Sequence, residues 1–277
     1  MKRFIHWLSE HRLANIVILF IYFLAVVLPH KRFGTFLNNT VVGGLGIDNN
    51  TAEGRQTYNL VALSIAVFIL CCVLYVFIKN TKDAVHRNRI WGYMIANTIL
   101  AVIVLQFLFV VNIEFVHYPQ YALFAILSLP LIQNYHQTLL WTTLAGTIDE
   151  AYQYFYLAPN DTSYYDINDV ITNLVGAVFG LLFLWSFNIG TERRTKLFKS
   201  SAFYAWLLLG SIMAICCFTG LLSIYPSEST EFQLLKKLPN GFWSKAHPNV
   251  TYHITQPFEG TLIIIGLWLF YGKIGKN

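Results

Sequence analysis

The chain has 277 residues, 56% of them hydrophobic and only 12% charged, against about 25% charged in a soluble domain. The charge is missing from long blocks rather than thinned evenly, which excludes an ordinary soluble globule and reads as bilayer-spanning helices. The net charge of +5 does not mark a nucleic-acid binder, because the basic residues sit in short clusters between apolar blocks.

Met1-Lys2-Arg3 leads to the first apolar block, Leu13–Leu28. A cleaved signal peptide is the rival reading. However, Pro29-His30-Lys31-Arg32 follows in place of a small-x-small cleavage site, so a retained span is expected. Further blocks run over Leu60–Ile78, Trp91–Ile113, Phe115–Ile132 with Pro130, Thr138–Leu157, Ile167–Phe187 and Phe203–Leu222. The last, Thr261–Tyr271, is short, although Phe258 and Gly260 extend it. The expectation is an all-α polytopic transmembrane helix bundle of about eight spans. Six spans, with the ends on the surface, is the alternative. The chain divides into 1–89 with two helices and an outer loop, 90–190 with four spans, and 191–277 with two spans and a long outer loop.

Orientation follows from the basic residues. With a cytoplasmic N-terminus the inner segments hold 13 Lys and Arg and the outer ones 6, spread over longer loops. An even span count returns the C-terminus to the cytoplasm. The outer loops, about His30–Asn59 and Ser223–Glu259, are rich in Gly, Asn, Thr and Pro and read as irregular. Asn-x-Ser/Thr triplets at Asn38, Asn49, Asn160 and Asn249 fall outside and read as turn chemistry. Cys71–Cys72 and Cys216–Cys217 lie in apolar blocks without zinc spacing and read as small apolar residues. His6, His11, His30, His86, His247 and His253 read as solvated loop residues, and His136 as a loop residue at an inner end.

From Ile90 to Glu192 there is no Lys or Arg, yet the stretch holds Glu114, Asp149, Glu150, Asp161, Asp166 and Asp169, with His117 and His136. Glu114 and His117 are three apart at the outer start of the fourth block and share a helical face. Asp149 and Gln153 share a face of the fifth by i,i+4 spacing. At ~1.5 Å per residue from Thr138, Asp149 lies ~17 Å into a ~30 Å apolar core. Asp166, Asp169 and Asn173 follow at spacings of three and four. Three helices thus bring acids, amides and one imidazole to one outer depth. Ionisable groups there cost about 2–3 kcal/mol each and require partners: His117, shared protons, a bound cation, or Arg32, Arg55, Lys236 or Lys237 from the outer loops. A polar knot that only fixes helix packing is the alternative. His117, Glu150 and Asp169 are the candidate metal ligands, since one His with carboxylates suits a divalent ion. Gly176 and Gly180 form a GxxxG that permits close helix approach, expected within the chain.

Glu114-Phe-Val-His117-Tyr118-Pro-Gln-Tyr121, Asp149-Glu150-Ala-Tyr-Gln153 and Asp169-Val-Ile-Thr-Asn173-Leu-Val-Gly176-Ala-Val-Phe-Gly180 together resemble the VanZ-like family. That family has an acid and His opening one span, acid-x-x-Gln ending the next, and Asp-x-x-x-Asn-x-x-Gly-x-x-x-Gly opening a third. The resemblance covers about residues 90–190 and implies that Glu114, His117, Glu150, Gln153, Asp169 and Asn173 are the family's polar positions. The Arg usual between the Gln and the Asp is missing from Pro159–Asp166. The family takes its name from a protein linked to teicoplanin resistance, which implies a role in the bacterial cell envelope and cytoplasmic membrane.

Three functional expectations result. The first is binding of a membrane lipid or lipid-linked envelope precursor at an outer-leaflet cluster of Glu114, His117, Tyr121, Asp149, Glu150, Gln153, Asp166, Asp169 and Asn173. The second is a membrane-embedded hydrolase, acid/base or divalent-metal dependent, acting on a lipid headgroup. The third is a transporter, ranked last because the halves show no symmetry.

Overall fold

The computed structural model describes residues 1–28, 43–44, 52–109, 112–157, 159, 163–189, 199–247 and 250–275. Lys31, Arg32, Arg193, Arg194, Asp161, the Arg55 side chain and the asparagines of the four Asn-x-Ser/Thr triplets lie outside this description. The architecture is helical: α1 (Lys2–Glu10), α2 (Arg12–Val27), α3 (Ala52–Thr81), α4 (Arg87–Phe107), α5 (His117–Ile132), α6 (Tyr135–Tyr152), α7 (Ile167–Ser186), α8 (Ser201–Phe218) and α9 (Pro257–Tyr271). A 3₁₀ turn over Asn112–Val116 leads into α5, and a π turn over Gln153–Leu157 prolongs α6.

Among the described residues, four helical segments are long and apolar enough to cross a membrane: Arg87–Phe107, Glu114–Ile132, Ile167–Ser186 and Ser201–Phe218. The pair α1–α2, bent by 107°, adds a fifth if it counts as one span. The remaining expected spans differ for local reasons. In α6, Thr138, Thr142, Thr143, Thr147, Asp149 and Glu150 dilute the apolar sequence. Helix α9 has only 15 residues, and the apolar part of α3 is Val67–Thr81. The threonines of α6 return their hydroxyls to their own helix, as Thr142 and Thr143 do to the Thr138 and Leu139 carbonyls at 2.8 Å. A polar sequence therefore stays satisfied inside a helical bundle.

Helix α7 is the axis. Nearly all its side chains are buried, with α5, α6, α4 and α9 packed around it. Its start is fixed by Asp166, whose carboxylate accepts from the backbone N–H groups of Asn168 and Asp169. Gly176 and Gly180 let α5 approach. A Cβ at Gly176 would lie 2.6 Å from the Tyr118 carbonyl oxygen, and one at Gly180 would lie 2.2 Å from that of Ala122. By contrast, the outer helices expose large apolar side chains, including Leu13, Ile95, Leu208 and Phe218, as helices do against acyl chains.

The bundle has two chemically distinct ends. At one, Arg89 donates to the Lys273 carbonyl and lies over the Trp185 ring, and Asn188 receives the Val85 N–H. The starts of α5 and α7 and the end of α6 meet at the other. There the segment 222–255, expected to be irregular, folds into two strand pairs. Leu222–Ser223 runs parallel to Phe232–Gln233, and Ser244–His247 antiparallel to Val250–Tyr252. It is tied to the bundle by Tyr165 N–H to the Leu234 carbonyl and by the Asn168 amide, which donates to the His253 carbonyl and accepts from the Thr255 N–H. His253 is buried rather than solvated. It stacks on Phe242 at 3.9 Å and meets the Glu259 carboxylate at 2.8 Å.

Candidate functional site

Three elements deliver the polar side chains to one place. Helix α5 begins at His117 and presents Tyr121 one turn later. Helix α6 ends with Asp149, Glu150 and, at the π turn, Gln153. Helix α7 begins with Asp169 and continues to Asn173. Because α6 runs antiparallel to the other two, its last turn meets their first turns. This is the physical basis of the convergence expected from the sequence.

His117 Nδ1 lies 2.8 Å from Asn173 Oδ1, and His117 Nε2 lies 3.5 Å from Asp169 Oδ2. One ligand atom each from His117, Glu150 and Asp169 falls within 4.8 Å of the others. Around this group a further layer is hydrogen-bonded. Tyr121 donates its hydroxyl to Asp149 Oδ2 at 2.8 Å, and Gln153 donates to Asp149 Oδ1 at 3.1 Å and to Glu150 Oε1 at 3.4 Å. Asp149 thus has a donor on each oxygen. The Tyr121 ring lies nearly parallel to the His117 imidazole, at 17° and 6.4 Å between centroids.

The site is closed. His117, Asp149, Glu150 and Asn173 are buried, and the Asp169 side chain, 14% exposed, is the carboxylate that reaches toward the surface. Among the described residues no Lys or Arg forms an ion pair with Asp149, Glu150 or Asp169. Lys236, named from the sequence as a countercharge, sits over the Tyr154 ring at 4.6 Å and donates to the Pro159 carbonyl. His117 is thus the one basic side chain paired with these acids among the described residues.

Two expected members occupy the edge. Glu114 is in the 3₁₀ turn that leads into α5. It stands half-buried, with its charge acting on Tyr164. Asp166 caps α7, with its charge felt at His117 and Glu150. Burial, with Asp169 beside it, pushes the Asp166 carboxyl up to about 8, against the pull of two backbone N–H donors and His117.

Three contributors escaped the sequence reading. Gly146 faces Asn173, whose Nδ2 would lie 3.0 Å from a Cβ there; the glycine makes room for the amide. Buried Tyr165 donates to the Thr147 carbonyl at 2.8 Å and feels the charges of Glu150 and Asp149. Asn168 fastens the outer segment across the site. An i,i+4 spacing from Asp149 to Gln153 is visible in a sequence, but partners 18 to 85 residues away are not.

Comparison of the chain with family models, with curated proteins and with solved structures finds no match.

Proposed function

We propose that this chain is an integral membrane protein of the bacterial cell envelope that holds the polar head of an amphiphile at the His117–Glu150–Asp169 end of its bundle. The observation that carries the reading is chemical segregation. A carboxylate-rich cluster with His117 but no Lys or Arg paired to it among the described residues is enclosed by helices whose outer faces are apolar. The ligand's head meets carboxylates and amides, so it presents a cationic group or is bridged by a cation. Asp169, the most accessible of these carboxylates, is the first contact. Tails lie along the exposed apolar helix faces. The basic residues near Arg89 and Lys273 support placing the opposite end in the cytoplasm, and the site toward the outer leaflet. On that orientation both termini are cytoplasmic, and about eight apolar blocks traverse or enter the bilayer. The resemblance to the VanZ-like family supports an envelope role and a link to teicoplanin resistance.

The test is lipid extraction from protein purified in mild detergent, followed by mass spectrometry. Wild-type protein should carry a defined lipid or lipid-linked envelope precursor, and Asp169→Asn and Glu150→Gln should lose it while still accumulating in the membrane. The same bulk lipid profile in all three proteins would overturn the reading. Hydrolysis of a headgroup is the second reading, favoured by the proximity of His117 to two carboxylates. Turnover of that lipid by wild-type protein alone would select it.

A further inference from the structure

The hydrogen bonding around Asn173 fixes the protonation pattern of the cluster. Its Oδ1 lies 2.8 Å from His117 Nδ1. Its Nδ2 is buried, faces Gly146, and has no hydrogen-bond partner of ordinary geometry among the described residues, although the side chain stands beside the Glu150 carboxyl. An amide directs its nitrogen, not its oxygen, toward a carboxylate, so the oxygen must take the imidazole N–H. His117 therefore donates through Nδ1 and carries its lone pair on Nε2.

That lone pair points at a second acceptor, Asp169 Oδ2, 3.5 Å away. Two acceptors face each other in a buried site only if something positive lies between them. A proton shared between them would draw the pair to about 2.7–2.9 Å. A tetrahedral cation with ligands at about 2 Å holds its donor atoms about 3.3 Å apart, close to the observed spacing. Glu150 completes the set. Gln153 reaches one of its oxygens, at a long 3.4 Å, and Asn173 stands beside its carboxyl. Asp149, with both oxygens occupied by Tyr121 and Gln153, is an orienting residue rather than a ligand.

We propose that His117 Nε2, Glu150 and Asp169 bind one divalent transition-metal ion, of the zinc or manganese class. The imidazole favours such an ion over magnesium or calcium. Asn173 is the positioning residue that fixes the imidazole tautomer, as the outer partners of metal-bound histidines do. Three protein ligands leave a fourth position of a tetrahedral ion for a headgroup oxygen or water. The inference goes beyond the amphiphile reading, because metal content and lipid content are separate readouts.

The experiment uses full-length protein in detergent, with an affinity tag free of histidine, stripped by chelator and dialysed against Co²⁺ or Zn²⁺. Wild-type protein should retain about one ion per chain. Glu150→Gln and Asp169→Asn should weaken binding by more than about 100-fold, and Asn173→Ala by about 10- to 100-fold. His253→Gln and His6→Ala, which alter the other His–carboxylate pairs, should leave binding unchanged. Cu²⁺ on unaltered protein should show one coordinated imidazole nitrogen by electron paramagnetic resonance, a readout that needs no variant to fold. Wild-type protein without stoichiometric metal, unaltered binding in the folded Glu150→Gln and Asp169→Asn variants, or loss confined to His253→Gln would overturn the proposal.

Discussion

The contact between α5 and α7 sets the distance between His117 and Asp169, and Gly180→Ala tests that dependence. A methyl at residue 180 would meet the Ala122 carbonyl oxygen at 2.2 Å and its carbonyl carbon at 2.8 Å. Both are backbone atoms, so no rotamer change relieves the clash. Reaching an ordinary contact of about 3.4 Å requires the helices to part by roughly 1 Å. Overpacking of this kind costs about 1–3 kcal/mol, and a backbone neighbour places Gly180→Ala at the upper end, about 3 kcal/mol. Gly266 in α9 provides the control. A Cβ there meets nothing within 4 Å, so Gly266→Ala should be neutral or gain up to about 1 kcal/mol from helix propensity. Reversible unfolding in mixed micelles, followed by far-ultraviolet circular dichroism, measures the difference. Equal stability of the two variants would refute the close α5–α7 contact.

Other perturbations separate the site from its scaffold. Gly146→Ala crowds the Asn173 side chain at 3.0 Å rather than backbone, so it should impair ligand retention while costing stability less than Gly180→Ala. Tyr121→Phe removes the donor to Asp149 Oδ2 and should cost about 1–3 kcal/mol in the same unfolding assay, since a buried acceptor is stranded. Asp166→Ala should lose about 1 kcal/mol of helix capping, whereas Asp166→Asn keeps the cap. Burial, with Asp169 beside it, raises the Asp166 carboxyl from its ordinary 3.8 to about 8 in the folded chain. The native state therefore binds that proton more tightly than the unfolded state. Wild-type stability should fall relative to Asp166→Asn as pH rises from about 4 through 8, and parallel pH profiles for the two proteins would contradict this.

The sequence exposed features governed by short-range periodicity and concealed those made by distant pairing. Asp149 and Gln153 are hydrogen-bonded at the i,i+4 spacing their positions imply. Likewise, Gly176 and Gly180 lie one turn apart against the backbone of α5. Periodicity alone extends the helix that begins at His117 back over Glu114, where the chain instead forms a 3₁₀ turn. It also misread His253, whose flanking Gly, Asn and Pro suggested solvent. Its burial depends on Phe242, Glu259 and Asn168, which only the fold assembles. Among the described residues, four or five segments have the length and apolarity of a span, against the eight blocks read from the sequence. An apolar run such as Thr261–Tyr271 signals burial, but whether lipid or protein surrounds it depends on its neighbours.

A double-mutant cycle of His117→Ala and Asp169→Asn, read as unfolding free energy in the same micelles, measures whether helices α5 and α7 place these groups in contact. Side chains 3.5 Å apart in a buried network should couple by about 0.5–3 kcal/mol. Strictly additive losses would contradict the convergence on which the site rests.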